Sequence, residues 1–232
     1  MQLDLLFPTQ DSYIGEVEAW AQQASHFPLV GVDEAGRGPW AGPVVAAAVI
    51  FPLGDLPAEL ELLNDSKQLS EKVRQQLVVP IKEHALAVAV GSIPADRIDQ
   101  INILQATFEA MRLAVKNAMQ TLTEAEQKQA MILVDGRQKI PDLFYQQHAL
   151  VKGDARSWHI AAASVVAKVV RDQMMYTAHQ RYPQYAFDRH KGYGTKLHQQ
   201  ALAQHGPCPI HRMSFKPLAQ WKDAEEPPKK LL

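Results

Sequence analysis

The stretch LVGVDEAGRGP (residues 29–39) joins a short apolar segment to two acidic residues and a glycine-rich loop closed by proline. Its Leu- and Val-rich start is typical of a strand buried inside a parallel or mixed sheet. Asp33 and Glu34 then stand directly before Gly36, Arg37 and Gly38. Carboxylates suit a hard divalent cation, whereas arginine and backbone amides suit a phosphate. One segment therefore combines both halves of a phosphodiester-cleaving site.

The size and composition of the chain indicate one sizeable domain. It has 232 residues, of which 47% are hydrophobic, enough for a core of its own. The single cysteine, Cys208, excludes an internal disulfide and a zinc site built from several cysteines. The sequence shows no secretory signal pattern near its start and no apolar stretch long enough for a membrane helix. We therefore expect a cytoplasmic protein with no membrane partner.

Charge is divided unevenly along the chain, although the formal net charge is only −1. Residues 1–149 carry 11 Lys and Arg against 19 Asp and Glu, whereas residues 150–232 carry 13 against 6. Six of the nine histidines also lie in the second part. This basic part predicts a surface for a polyanion. The alternative is an asymmetry that cancels across the folded surface.

Hydrophobic patterning alternates between strand and helix along the chain, which predicts an α/β domain. Strands are expected at residues 29–33, 44–50, 85–93, 131–135 and 151–154. The first two are joined by the glycine loop, residues 36–43. Helices are expected at residues 15–24, after an N-cap at Ser70, at residues 102–122 and at residues 157–180.

Two further acids follow short apolar segments, as the first pair does. Asp135 ends a strand-like run before Gly136, and Asp154 precedes the longest predicted helix. Each has a structural alternative, a turn aspartate for Asp135 and a helix cap for Asp154. Because strand ends can meet at one edge of a sheet, the four carboxylates predict a site for two divalent cations. Oxygen ligands favour Mg²⁺ or Mn²⁺ over zinc.

The adjacent acids raise a geometric difficulty. Neighbouring side chains of a regular strand point to opposite faces, so Asp33 and Glu34 need a local distortion to reach one pair of cations. Gly36 and Gly38 make such a bend available. We expect Asp33 at the centre of the site, with Glu34 reaching it from the bend.

The longest predicted helix is apolar except for a narrow polar stripe. Ser164, Lys168 and Arg171 fall at positions i, i+4 and i+7. Such a stripe is either a functional face or a solvent-facing seam, and the pattern leaves both open.

Residues 29–217 resemble the bacterial ribonuclease HII family through an ordered series of motifs. The motifs are GVDEAGRGP (31–39), AGPV (41–44), NDSK (64–67), VDG (134–136), KGD (152–154), AAAS through AK (161–168), HKGYGT (190–195) and HRMSF (211–215). The departures are Trp40, where Leu is common, and Gln68, where a second Lys is common. Neither departure touches a proposed metal ligand.

The resemblance implies an α/β architecture of the ribonuclease H-like fold, a central five-stranded mixed sheet flanked by helices, with a helical C-terminal part. It places the catalytic domain at residues 29–217, between an N-terminal extension (1–28) and a mobile tail (218–232). It also implies a monomeric endonuclease that cleaves the RNA strand of RNA/DNA hybrids and incises 5′ to single ribonucleotides in duplex DNA. The implied products carry 3′-hydroxyl and 5′-phosphate ends.

The same resemblance assigns roles to individual residues. Asp33, Glu34 and Asp135 are the implied principal metal ligands, and Asp154 is the fourth acid. The implied substrate contacts are Gly36, Arg37 and Gly38 at the 2′-hydroxyl, Tyr193 at a sugar, and Lys67, Ser164 and Lys168 at phosphates. Phosphate contacts make binding sensitive to salt. For Tyr193 the alternative is a turn residue with its ring in the core.

The segment QLDLLF, Gln2 to Phe7, resembles the short peptides that dock on bacterial sliding clamps, with one extra Leu. The alternative is a strand or staple that packs on the domain. Three other functions compete with the main interpretation. A related exonuclease or resolvase is disfavoured by Arg37 and Tyr193, and a non-catalytic hybrid-binding protein by four carboxylates beside a polyanion. A ribonuclease HIII is disfavoured because only 28 residues precede the first predicted strand.

Overall fold

The structure, a computed structural model, describes residues 14–23 and 27–221 of the chain, without the side chains of residues 64–68. Its strands are β1 Leu29–Ala35, β2 Val44–Ile50, β3 Ala87–Ile93, β4 Met131–Asp135 and β5 Gln146–Leu150. They form one sheet in the order β3-β2-β1-β4-β5. The pairs β1/β2 and β2/β3 are antiparallel, whereas β1/β4 and β4/β5 are parallel. The predicted mixed sheet of five strands is confirmed.

The helices are α1 Glu16–Gln23, α2 Glu71–His84, α3 Ala95–Met119, α4 Glu124–Gln129, α5 Trp158–Arg181, α6 Phe187–His190 and α7 Lys196–His205. Short 3₁₀ segments span Ala58–Gln68, Gly153–Ala155, Pro183–Tyr185 and Leu218–Trp221. Ser70 caps α2 and Ser157 caps α5, each by accepting a backbone N–H three residues on. No helix in the described ranges is long and apolar enough to cross a lipid bilayer.

The predicted helix starting at Asn102 is the second half of α3. Asn102 has a left-handed φ of 66°, which breaks the helix, and its Oδ1 accepts the N–H groups of Leu104 (3.0 Å) and Gln105 (3.1 Å). It therefore caps the second half. The first half, residues 95–101, was not expected from the sequence.

The predicted strand at residues 151–154 is wrong. β5 ends at Leu150, and Lys152 then adopts a left-handed φ of 55°, which turns the chain into the 3₁₀ segment. The peptide N–H of Gly136 bonds to the Leu150 carbonyl, so β5 ends level with β4. Asp154 consequently lies in a turn beyond the sheet edge.

Helices cover both faces of the sheet. On one face, α3 packs against the even-numbered apolar residues of β1 and β2. On the other face, α2 and α5 pack against Ala47 and Val49, and α1 packs against Leu29, Met131 and Leu133. This alternation follows from the two-residue period of a strand. It sends Asp33 toward α5 and Glu34 toward α3.

The part of the chain after α5 forms a small helical unit of its own. Tyr185 and Phe187 stack at 5.3 Å in its buried core, together with Leu202 and Leu218. Ala41 of the glycine loop packs into the same core. The predicted helical C-terminal part is confirmed, and it lies directly against the glycine loop.

The helix α1 is attached to the sheet domain. Val17 and Ala21 are fully buried. The buried carboxylate of Glu16 pairs with Arg156 at 2.5 Å, and Glu18 accepts from the Ser157 hydroxyl at 2.6 Å. The described end of the expected N-terminal extension thus packs as part of the core.

Gly31 allows β1 to lie directly against α5. A Cβ at this position would stand 2.2 Å from the carbonyl carbon of His159, a backbone atom that cannot swing aside. We expect Gly31→Ala to lower the free energy of unfolding by about 3 kcal/mol, because overpacking forces the helix off the sheet. Chemical denaturation measures the change.

Gly38→Ala is the matched control for this stability measurement. A Cβ there would meet nothing closer than 3.8 Å, so its unfolding free energy should change by less than about 0.5 kcal/mol. Equal destabilisation by both substitutions would contradict the packing account.

Candidate active site

Asp33 and Asp135 stand at the ends of neighbouring parallel strands. The register pairs Val32 of β1 with Val134 of β4. The next residue on each strand is therefore an aspartate, and both lie at the carboxyl edge of the sheet. This edge is where open α/β sheets place their ligands. The expectation that these acids lie close together is met.

The environment of Asp33 strongly disfavours a negative charge. Its side chain is only 7% exposed. Burial, followed by the charges of Asp135 and Glu34, raises the pKa of Asp33 well above its usual value. Hydrogen bonds from the Ser164 hydroxyl and from the Glu34 N–H, the latter at 2.7 Å, act in the opposite direction. Asp33 is thus a buried carboxylate crowded by other carboxylates.

Glu34 leaves the strand on the other face, and no bend brings it round. Pairing of β1 with β2 continues through Glu34 and Ala35, and the turn begins only at Gly36, with φ of +95°. The expected distortion therefore comes after Glu34, because the β2 ladder holds the strand regular. The Glu34 carboxylate contacts Arg37 Nη1 at 3.2 Å, with the arginine side chain about half exposed.

Asp135 ties the turn that carries Asp154 to the end of β4. Its Oδ1 accepts the N–H of Gly153 at 2.7 Å. Asp154 follows immediately and is 7% exposed. Ser157, not Asp154, is the N-cap of α5, so the helix-cap alternative for Asp154 is wrong. All four acids therefore belong to one end of the sheet.

The donor set at this edge fits a hard divalent cation. It consists of carboxylate oxygens, and the mutual repulsion at Asp33 is what a bound cation would remove. In the described ranges, however, no three His, Cys, Asp or Glu side chains already surround a single point. Glu34 is turned toward Arg37, and one oxygen of Asp135 holds Gly153. Cation binding would therefore require these side chains to turn inward.

Two fully buried arginines hold the glycine loop. Arg212 donates to the carbonyls of Gly36 (2.6 Å), Arg37 (3.0 Å) and Gly42 (2.9 Å). Gly36 has no room for a side chain, since a Cβ would lie 2.0 Å from Nε of the second arginine, Arg171. The carbonyl groups of the loop thus accept hydrogen bonds from arginine side chains, where those of a strand would accept them from a neighbouring strand.

Arg171 links the glycine loop to the segment that carries Tyr193. Its Nε donates to the Pro43 carbonyl at 3.1 Å, and its Nη2 donates to the carbonyls of Ala41 (3.2 Å) and Lys191 (3.0 Å). The N–H of Trp40 adds a bond to the Gly192 carbonyl at 2.8 Å. The two segments consequently form one rigid unit.

Tyr193 faces solvent across from Gly38. It is 47% exposed, so the alternative in which its ring lies in the core is wrong. A Cβ on Gly38 would lie 3.8 Å from Cε1 of the ring. Gly38 and the Tyr193 ring are therefore direct neighbours, and Tyr193 also lines a pocket together with Glu34 and Gly36.

The polar stripe of α5 faces the pocket that Tyr193 lines. Ser164, Lys168 and Arg171 line a pocket of about 250 Å³ that is also lined by Glu34, Gly36, Arg74 and Tyr193. A plain solvent-facing seam is excluded because Arg171 is fully buried. Lys168 is partly exposed and pairs with Asp172 at 2.6 Å. Arg171 Nη1 has no hydrogen-bond partner among the described residues.

Two of the expected substrate or partner contacts lie outside the described residues. These are the side chain of Lys67 and the segment Gln2 to Phe7. Conversely, Arg171 and Arg212 shape the site although no specific role was expected for them. Their signal in the sequence was their position, Arg171 in the polar stripe and Arg212 within the HRMSF motif.

Burial also changes the interpretation of the basic second part. Arg156, Arg171, Lys191 and Arg212 are all under 9% exposed. Four of the 13 basic residues after residue 149 thus serve the interior, and the surface there is less basic than the sequence suggested.

Comparison with known proteins places the chain in a family. The family model described as ribonuclease HII matches residues 30–218. A ribonuclease HII of Endomicrobium trichonymphae is 52% identical over 192 residues, which cover 83% of this chain and 87% of the relative.

Solved structures share the fold. The ribonuclease H2 of Pyrococcus horikoshii gives a TM-score of 0.65 at 25% identity, covering 84% of this chain and 96% of that one. The ribonuclease HII of Archaeoglobus fulgidus in a complex with PCNA gives 0.65 at 23% identity, covering 82% and 96%. A Bst ribonuclease HIII in complex with Mn²⁺ gives 0.65 at 21% identity, covering 86% of this chain and 70% of that one.

The match of the family model to most of the chain decides between the type HII and type HIII alternatives. The chain belongs to the ribonuclease HII family and is an endoribonuclease of the ribonuclease H type.

Proposed function

We propose that this ribonuclease incises 5′ to single ribonucleotides in duplex DNA, in addition to hydrolysing the RNA strand of RNA/DNA hybrids. The observation that carries the proposal is the pocket lined by Glu34, Gly36 and Tyr193, which lies beside the acidic sheet edge. Cleavage leaves 3′-hydroxyl and 5′-phosphate ends. Residues 29–217 are proposed as the catalytic domain of a monomeric, cytoplasmic protein.

Asp33, Glu34, Asp135 and Asp154 are proposed to hold two divalent cations, Mg²⁺ or Mn²⁺. The buried, mutually repelling charges at Asp33 support this role. The Mn²⁺ complex of a ribonuclease HIII with the same fold is consistent with it. When bound, such cations activate a water nucleophile and stabilise the departing 3′-oxygen. The protein itself orients the phosphodiester and supplies the fixed charges around it.

The glycine loop and Tyr193 are proposed to recognise the ribonucleotide. A 2′-hydroxyl both donates and accepts hydrogen bonds and lies in the minor groove, so its recognition requires backbone groups that approach closely. Gly36 lets the loop close against Arg171, Gly38 adds no side chain beside Tyr193, and the exposed ring of Tyr193 can pack on a sugar. These features favour a ribonucleotide-specific enzyme over an exonuclease or resolvase.

The pocket along α5 is proposed to take a backbone phosphate. Ser164 and Lys168 line it, and Arg171 adds a buried guanidinium. A phosphate would compete with Asp172 for Lys168. Because contacts between basic side chains and phosphates weaken as salt is added, binding of the nucleic acid should be sensitive to salt. Lys67 is proposed as a further phosphate contact.

A substrate panel tests the proposed function. Duplex DNA with one ribonucleotide, an RNA/DNA hybrid and plain DNA are each incubated with Mg²⁺, Mn²⁺ or a chelator. We expect incision 5′ to the ribonucleotide, cutting of the hybrid, no cutting of plain DNA and no activity with chelator. Asp135→Asn should lower the rate by more than about a hundredfold, because a ligand contributes more than its supporting residues.

Asp142→Asn is the control, because Asp142 is an exposed acid away from the sheet edge. An Asp135→Asn protein that cuts at the normal rate would falsify the metal assignment. Cutting of plain DNA would overturn the recognition role of the glycine loop.

The charge at Asp33 should cost stability when no cation is bound. Because its pKa is raised in the folded state, the stabilising protonated form is present at low pH and is lost as pH rises through that raised value. We therefore expect Asp33→Asn to melt at higher temperature than the wild type at neutral pH with chelator. The difference should shrink toward pH 4. Thermal melts across this range measure it.

Added Mn²⁺ should reverse this order, since a ligand stabilises only the protein that binds it. Asp55→Asn, an exposed loop substitution, should leave the melts unchanged in both conditions. A wild type that melts at a higher temperature than Asp33→Asn in chelator at neutral pH contradicts the electrostatic account.

The clamp-binding role of Gln2 to Phe7 stays a prediction. A protein that lacks residues 2–7 should lose binding to a bacterial sliding clamp in a pull-down or by surface plasmon resonance. Its activity on the hybrid should be unchanged, which is the control for folding. The prediction is wrong if the truncated protein binds the clamp as well as the full-length protein does, or if the full-length protein does not bind it.

A further inference from the structure

Three buried histidines surround the backbone of Tyr193. This histidine cluster consists of His190, His198 and His211, with exposures of 7%, 0% and 2%. The rings of His190 and His198 stack with centroids 4.5 Å apart, and the Nε2 atoms of His198 and His211 are 2.9 Å apart. None of the three was assigned a role in binding or cleavage above.

Two of the rings contact peptide groups on either side of Tyr193. The N–H of Gly192 donates to Nδ1 of His190 at 3.2 Å. Nδ1 of His198 lies 3.0 Å from the Tyr193 carbonyl. Lys191 and Gly192 both have left-handed φ angles, and this segment belongs to no helix or strand. The histidine rings therefore supply the bonds that a regular ladder would otherwise provide.

Hydrogen-bond geometry fixes which ring nitrogen carries the hydrogen in His198 and in His211. A carbonyl only accepts, so His198 must carry its hydrogen on Nδ1 and present a bare Nε2. His211 must then donate from its own Nε2, which leaves its Nδ1 to accept the Cys208 N–H at 2.8 Å. The nearby Cys208 carbonyl, 3.2 Å from that Nδ1, is then a contact without a hydrogen.

The interior keeps both rings neutral, as this arrangement requires. Burial comes first among the causes that lower the pKa of His198 to about 3, followed by the proximity of His211. Burial likewise lowers the pKa of His211 to about 4. Donors therefore run in one direction, from Cys208 through His211 and His198 to Tyr193.

The glycine loop contacts the same series of hydrogen-bonded histidines. The ring centroids of Trp40 and His198 are 5.6 Å apart. A Cβ on Gly194 would stand 2.2 Å from the Trp40 indole, so the loop and the Tyr193 segment fit closely. A shift of His198 would therefore disturb the glycine loop and the Tyr193 segment together.

We propose that His198 and His211 are positioning residues for ribonucleotide recognition, which act by fixing the backbone of Tyr193 through this hydrogen-bond chain. The inference rests on the proposed role of Tyr193. Recognition needs the ring placed to within about 0.5 Å, and rigid imidazoles held by directed bonds achieve this better than a turn alone. The competing view is that the histidines only satisfy buried backbone groups.

Nitrogen-15 NMR of the histidine rings in the full-length protein tests this series of hydrogen bonds without any substrate. We expect His198 as the Nδ1–H tautomer and His211 as the Nε2–H tautomer at neutral pH. Observation of His198 as the Nε2–H tautomer would overturn the inference, since the Tyr193 carbonyl would then have no donor from the ring.

A matched pair of substitutions tests the link to recognition. The amide nitrogen of Asn stands near the place of Nδ1 and that of Gln near the place of Nε2. His198→Asn should keep most of the preference for the single-ribonucleotide duplex over the long hybrid. His198→Gln should lower that preference, as a ratio of kcat/KM values, by about tenfold. If His198→Gln does not fold, His211→Asn, which removes the donor to His198, replaces it.

Double substitution separates positioning from general structure. In a Tyr193→Ala background, which should itself lose the preference, His198→Gln should cost no further preference. An equal loss on both substrates, or a further loss of preference without Tyr193, leaves the histidines only a structural role and overturns the inference. A wild type that does not incise at single ribonucleotides overturns the proposed function as well, and that result is seen before any histidine variant is made.

Discussion

The buried guanidinium of Arg212 is the constraint on which the glycine loop depends. It satisfies three carbonyls of a loop that has no ladder of its own. Only arginine offers five donors in a fixed fork, and these three bonds all end on carbonyl oxygens rather than on a carboxylate. Burial, with the nearby charge of Arg171, lowers the pKa of Arg212 to about 9, so the group remains a cation at neutral pH. Its loss would leave three buried acceptors unsatisfied.

Buried cations and buried carboxylates lie close together at the end of β1. Arg171 and Arg212 lie behind the glycine loop, whereas Asp33 and its neighbours gather where the strand ends. Each group alone opposes folding, since burial raises the pKa of Asp33 and lowers that of both arginines. Such opposed, costly charges are typical of functional sites rather than of cores. The basic second part of the sequence, residues 150–232, therefore contributes to the site as much through its interior as through its surface.

The sequence predicted the elements whose signal is local. The apolar runs of β1, β2 and β4 were found, and so were the acids that end them, because burial and position are both visible in adjacent residues. Asn102 was correctly recognised as a start, but the helical turns before it were missed because the cap looks like the beginning of the whole helix. The partners of the glycine loop could not be predicted. Arg171 and Arg212 stand 128 and 170 residues from the carbonyls of Pro43 and Gly42 that they hold.

The regularity of β1 would let the proposed recognition and cleavage act at one nucleotide. Pairing with β2 holds the strand straight through Ala35, and the turn at Gly36 follows at once. The distance from Asp33 to the glycine loop is therefore set by covalent geometry and a strand ladder, with no flexible linker between them. If the loop reads the 2′-hydroxyl, the neighbouring phosphodiester is brought to the acids by the same act of binding. The expected bend between Asp33 and Glu34 would have weakened that coupling, and its absence strengthens it.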